Sequence, residues 1–136
     1  MRVVVMGAGG VGGYFGAKLA RAGEAVTFVA RGDHLKAIRA AGLRVMSATE
    51  GEIVVKSPAA DDLTGIGSVD LVLFCVKSYD TETASRAITP AVGSETVILS
   101  LQNGIDNEEK IQSLVGQGRV LGGAALGKSL LTLELI

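Results

Sequence analysis

The chain has 136 residues, enough to bury a core without disulfide or metal staples but too few for two domains of ordinary size. Lys and Arg number 13 against 14 for Asp and Glu, a formal net charge of -1, so no broad electropositive face for nucleic acid is expected. The single cysteine, Cys75, excludes an intramolecular disulfide, and no run approaches the ~18 apolar residues of a membrane span.

In chain order, short β-branched runs alternate with longer helical segments, the pattern of βαβ units around a parallel sheet. "RVVVM" (2–6) reads as a strand covered on both faces. The spacing of Val11, Phe15, Leu19 and Ala22 predicts a helix over 11–22, stopped by Gly23. "AVTFVAR" (25–31) is a second strand, after which Asp33 caps a short helix over 34–41 that Gly42 ends. Residues 43–56 read as two short strands around Glu50 and Gly51, and 57–68 as loop with at most a helical turn. "VDLVLFCVK" (69–77) is a buried strand in which Cys75 is an inert thiol, with no base near it in sequence to make it a nucleophile. A helix over 80–92 with acids in its first turn, a strand over 96–104, a helix over 106–116 and a strand over 119–125 complete the pattern. Arg2 followed by an uncharged stretch to Ala17 has the outline of a signal peptide. Glycine at 7, 9, 10, 12, 13 and 16 spoils it as a hydrophobic segment, so the expectation is a soluble cytoplasmic protein with no membrane partner.

Between the first strand and the first helix, Gly7, Gly9 and Gly12 form G-x-G-x-x-G, and that context lifts the motif above a chance match. Gly7 permits a tight turn, Gly9 lets a pyrophosphate approach the main chain, and Gly12 lets the helix lie close to the strand. Unpaired N–H groups at the helix start then face the phosphates. The expected cofactor-binding stretch is Gly7, Ala8, Gly9, Gly10, Val11 and Gly12, while Gly13 and Gly16 are better explained by packing of the helix on the sheet. The alternative is a glycine-rich turn with no ligand. The implied fold is α/β and Rossmann-type, a doubly wound, mostly parallel sheet with helices on both faces. At the end of the second strand, where NAD-binding domains carry an acid for the ribose, this sequence has Arg31, which suits the 2′-phosphate of NADP(H). Asp33 is the competing choice as ribose acid. His34 and Lys36 could assist with the phosphate or belong to an exposed helix face. No metal site is assigned.

"VVVMGAGGVGGYFGAKLARAGEAVTFVARGDHLKAI", "DLVLFCVKSYDTE" and "ILSLQNGIDNEE" together resemble the N-terminal half of the ketopantoate reductase (2-dehydropantoate 2-reductase) family, from Met1 to about Gly123. The resemblance implies an oxidoreductase that reduces 2-dehydropantoate, a small 2-keto acid, to pantoate with NADPH, on the way to pantothenate and coenzyme A. It also implies that Arg31 holds the adenosine 2′-phosphate, that Lys77 lines the cleft beside the cofactor, and that Asn103 of "LQNG" stands near the nicotinamide and substrate. Read without it, Lys77 lies just beyond the carboxyl end of a central parallel strand, where such folds bind ligands, with a strand-terminal lysine reaching solvent as the lesser alternative, whereas Asn103-Gly104 is most simply a turn. Gln102 is a weaker cofactor contact. Lys77 and Asn103 therefore stand as the catalytic candidates, in positioning roles.

In that family the general acid belongs to a helical C-terminal domain that this chain lacks, so no proton donor is assigned, and Lys128 matches no motif that would make it one. Residues 1–125 are expected to form the dinucleotide-binding domain, and 126–136, with "LLTLELI", to be an atypical tail that needs covering by the sheet or a partner chain. The expectations are a truncated chain that binds cofactor with little turnover, and self-association as a homodimer. Two rivals remain: a single-domain nucleotide-sensing regulatory module, and a related reductase acting on another 2-keto acid.

Overall fold

The computed structural model describes residues 1–76, 81–101, 107–126 and 130–135. Valines and Met6 dominate β1 (Arg2–Met6), and the pleat sends alternate side chains to opposite layers: Val3 and Val5 enter one core, Val4 and Met6 the other. A strand apolar on both faces belongs in mid-sheet, and β1 lies there. It pairs in parallel with β2 (Ala25–Val29) on one side and with β6 (Leu71–Phe74) on the other. The chain between them supplies α1 (Gly10–Arg21), α2 (Gly32–Ala41), an antiparallel hairpin of β3 (Leu43–Ser47) and β4 (Gly51–Val55), and the two-residue β5 (Ala59–Ala60). After β6 come α3 (Thr81–Ile88) with a 3-10 turn over Thr89–Ala91, then β7 (Val97–Ser100), α4 (Asn107–Val115), β8 (Arg119–Leu126) and β9 (Leu130–Leu135).

The main sheet has seven strands in the order β5-β2-β1-β6-β7-β8-β9, all parallel except β9, which runs antiparallel along β8. Tyr14 and Ala17 of α1, Leu35 and Ile38 of α2, and Leu43 and Ile53 of the hairpin cover one face. Ala84 and Ile88 of α3, and Ile111 and Val115 of α4, cover the other. The sheet is therefore doubly wound, with a core on each side. Phe28 and Phe74 are the largest fully buried side chains, and burying an apolar chain of that kind contributes about 1.5–3 kcal/mol.

Several element boundaries differ from the sequence reading. Strand β2 stops at Val29, so Arg31 becomes the N-cap residue of α2, and Asp33 lies inside its first turn without making a side-chain cap. The Phe28 and Ala30 N–H groups donate to the Pro58 and Ala60 carbonyls, which creates β5 where only a loop was expected. The strand over 69–77 contracts to β6, although the Cys75 N–H still donates to the Met6 carbonyl at 2.9 Å. The helix over 80–92 divides at Pro90, which sits in the 3-10 turn. In the tail, "LLTLEL" makes the strand its sequence allows and joins the sheet as β9.

The apolar stripe expected on α1 is also rotated. Ala22 is exposed and Phe15 and Leu19 are only partly buried, whereas Gly12, Gly13, Gly16 and Ala17 are buried. The small residues face the sheet, because a helix can lie that close only where side chains are short.

Candidate functional site

Strand order reverses at β1, with β2 and β5 to one side and β6, β7 and β8 to the other. In open α/β sheets, ligands bind outside the carboxyl ends of the strands at such a point. The glycine turn occupies it. Gly7 has φ +98°, and a Cβ there would meet the Cys75 carbonyl, whose carbon lies 2.8 Å away. Only glycine combines that backbone with that approach to the end of β6. A Cβ on Gly12 would strike the Gly7 carbonyl oxygen and come within 3.0 Å of Cys75 Cβ, so the first turn of α1 rests on the loop and on β6.

Gly9 differs from both. It is exposed, its φ of -89° is accessible to any residue, and among the described residues nothing lies within 4 Å of a Cβ built on it. Gly9 is the N-cap of α1 and has no side chain to cap it, and the first intrahelical bond, Gly13 N–H to the Gly9 carbonyl, is long at 3.5 Å. The helix thus begins with N–H groups that no capping side chain satisfies, beside open space and at the positive end of its dipole. Such a helix start fits an anionic group that supplies the missing acceptors. Ala8 is buried beneath the turn, Val11 is half-buried and Gly10 is exposed. Gly13 and Gly16 serve packing: their Cβ atoms would meet the Ala8 carbonyl oxygen in the first case, and the Phe28 ring at 2.6 Å and Val5 at 2.8 Å in the second.

Arg31 is exposed at the carboxyl end of β2. Asp33, His34 and Lys36 are exposed on the helix that follows. Lys77, Gln102 and Asn103 lie outside the described residues, so the geometry brings together the glycine turn and the end of β6 but leaves these three unplaced. Cys75 is 7 % exposed, and burial pushes its thiol up to about 12 from an ordinary 9.0. It remains a protonated packing group under the turn, as the apolar run around it suggests.

Two features escape the sequence reading. Glu108, in the first turn of α4, is buried, and its carboxylate lies where a Cβ on Gly122 would be, 2.7 Å from that position. Ser100 ends β7 opposite Gly122, fully buried, with no hydrogen-bond partner for its Oγ among the described residues. The acidic start of α4 is visible in the sequence; only the register of β7 and β8 places Glu108 over a glycine. Among the described residues, no group of three or more His, Cys, Asp or Glu could hold a metal ion.

Strand order, glycine turn and uncapped helix together define a Rossmann-type, doubly wound fold. Residues 3–130 match the model of the family described as ketopantoate reductase PanE/ApbA, and the chain belongs to that family. Its curated relatives include a 2-dehydropantoate 2-reductase of Pyrococcus horikoshii, 41% identical over 123 residues, an alignment covering 90% of this chain and 39% of that protein. A PanE/ApbA family ketopantoate reductase from Ralstonia eutropha JMP134 superposes with a TM-score of 0.79 at 41% identity, covering 97% of this chain and 46% of that one. A D-mandelate dehydrogenase solved with NADH and anilino(oxo)acetate has a TM-score of 0.79 at 26% identity, covering 91% of this chain and 40% of its own. The chain thus spans less than half the length of each of these three proteins.

Proposed function

We propose that this chain is the NADP(H)-binding part of a 2-dehydropantoate 2-reductase, and that it contributes binding and orientation of the cofactor rather than the acid of the reaction. The observation that carries the reading is the β1–α1 turn: Gly7 and Gly12 are packed against the end of β6, while Gly9 faces open space before an uncapped helix. A pyrophosphate fits that arrangement, accepting from the N–H groups of Gly10, Val11 and Gly12. When bound, a nicotinamide cofactor supplies hydride to the keto carbon of a small 2-keto acid. What the chain's own residues add is position, by holding one end of the cofactor at Arg31 and its middle at the turn. Lys77, Gln102 and Asn103 are the residues proposed to line the reacting end.

The preference for NADP(H) rests on Arg31, exposed where an NAD-binding domain would carry an acid. A guanidinium–phosphate pair contributes about 1.5–3 kcal/mol, or roughly a 10- to 150-fold preference over NADH. Calorimetric titration of the chain with NADPH and with NADH, alongside Arg31→Ala, tests this. Tighter NADPH binding that Arg31→Ala abolishes is expected; tighter NADH binding by the wild type contradicts it. A related 2-keto acid reductase is the second reading, favoured by the likeness to a dehydrogenase solved with NADH and an oxo acid.

A further inference from the structure

Arg31 does not line its groove alone. A cavity of about 600 Å³ runs from the end of β2 to the flank of α3, bounded by Arg31, Asp61, Asp62, Thr64, Arg86 and Pro90. Its position follows from the fold: β5 pairs with β2 through Val29 and Ala60, which sets Asp61 and Asp62 beside the start of α2, and α3 packs on the same sheet face as Val29 and Leu63. Two arginines, from elements far apart in sequence, therefore line one groove.

We propose that Arg86 is a second specificity-determining residue for the adenosine 2′-phosphate, acting with Arg31 from the opposite wall; this rests on the reading of the chain as an NADP(H)-binding domain. Arg86 is exposed and carries one ion pair, Nη2 to Glu82 Oε1 at 2.9 Å, one helical turn earlier. With side chains 68% and 54% exposed, that pair is held weakly, and a dianionic phosphate displaces it as a stronger partner for a guanidinium. The two aspartates balance the two arginines in the groove, so the phosphate is favoured by direct guanidinium pairing and not by the overall field. Asp62 is already committed to Thr64, whose hydroxyl at 2.7 Å and backbone N–H at 2.8 Å keep its carboxyl below the usual range. Its carboxylate is turned toward its own loop.

The test is titration of the chain with NADPH and NADH in four forms: wild type, Arg86→Gln, Glu82→Gln and Arg31→Ala. Arg86→Gln is expected to weaken NADPH roughly 5- to 10-fold and leave NADH unchanged, and Glu82→Gln to tighten NADPH by freeing Arg86. If Arg86→Gln leaves NADPH binding untouched, or weakens both cofactors equally, while Arg31→Ala still abolishes the preference, Arg86 has no such role and the NADP(H) reading stands. A wild type that binds both cofactors equally overturns that reading, and the role of Arg86 with it.

Discussion

Cys75 sits directly beneath the turn, its backbone against Gly7 and its Cβ beside Gly12. Its thiol titrates high because burial disfavours the thiolate. In the unfolded chain the thiol ionises near its ordinary 9.0, while the folded form keeps its proton to about 12. The stabilisation is therefore fully present below 9.0 and is lost as pH rises from there toward about 12. Denaturant midpoints measured across that range are expected to fall for the wild type and to fall less for Cys75→Ala. A wild-type thiol that reacts rapidly with a thiol reagent in the folded state at neutral pH would contradict this environment. The buried character of Cys75 is legible in "LVLFCV"; its place under the glycines is not, because only the β1–β6 pairing brings them together.

Element α1 shows where sequence pattern misleads. Apolar periodicity counts side chains, and it selects the stripe of Phe15, Leu19 and Ala22, yet the surface pressed on the sheet is made largely of glycine. Close approach is invisible to a hydrophobic count, and so is β5, whose two alanines carry no strand signal and pair only because Phe28 and Ala30 have N–H groups to satisfy. The same helix also carries a tie to the β3–β4 hairpin that spacing does not announce: Glu50 accepts from Lys18 at 2.8 and 2.9 Å and from the Tyr14 hydroxyl at 3.2 Å. Those bonds, with Lys18 first, keep the Glu50 carboxyl below the usual range. Packing by glycine yields a direct prediction. In Gly16→Ala the new methyl would stand 2.6 Å from the Phe28 ring and 2.8 Å from Val5, and such overpacking costs about 1–3 kcal/mol. A lower denaturant midpoint with unchanged NADPH affinity of the folded protein is expected. Unaltered stability would mean that α1 does not lie this close to β1 and β2.

At the scale of the whole molecule, the main alternation of strands and helices among the described residues is legible in the sequence, and so is the fingerprint turn, because both are written in local pattern, whereas β5 is not. The strand order was only implied. It follows from which strand pairs with β1 on each side, and that is what converts a glycine motif into a crevice. Gln102 and Asn103 rest on the family resemblance, since no local pattern separates a cofactor-facing asparagine from a turn, while Lys77 rests also on its place beyond the carboxyl end of a central strand. Family membership counts against the nucleotide-sensing rival, and leaves substrate and partners to the function proposed above. No helix among the described residues is long and apolar enough to cross a membrane.

The central claim is that the open face at Gly9 is where the cofactor's phosphates meet the main chain. Gly9→Ala tests it, because the protein has room for the methyl and the backbone tolerates it, whereas a bound pyrophosphate would not. Titration of this variant with NADPH, beside its denaturant midpoint, should show stability changed by no more than about 1 kcal/mol and affinity reduced roughly tenfold or more. Unchanged affinity in a protein of unchanged stability would contradict the account, and would leave the glycine turn a packing device without a ligand.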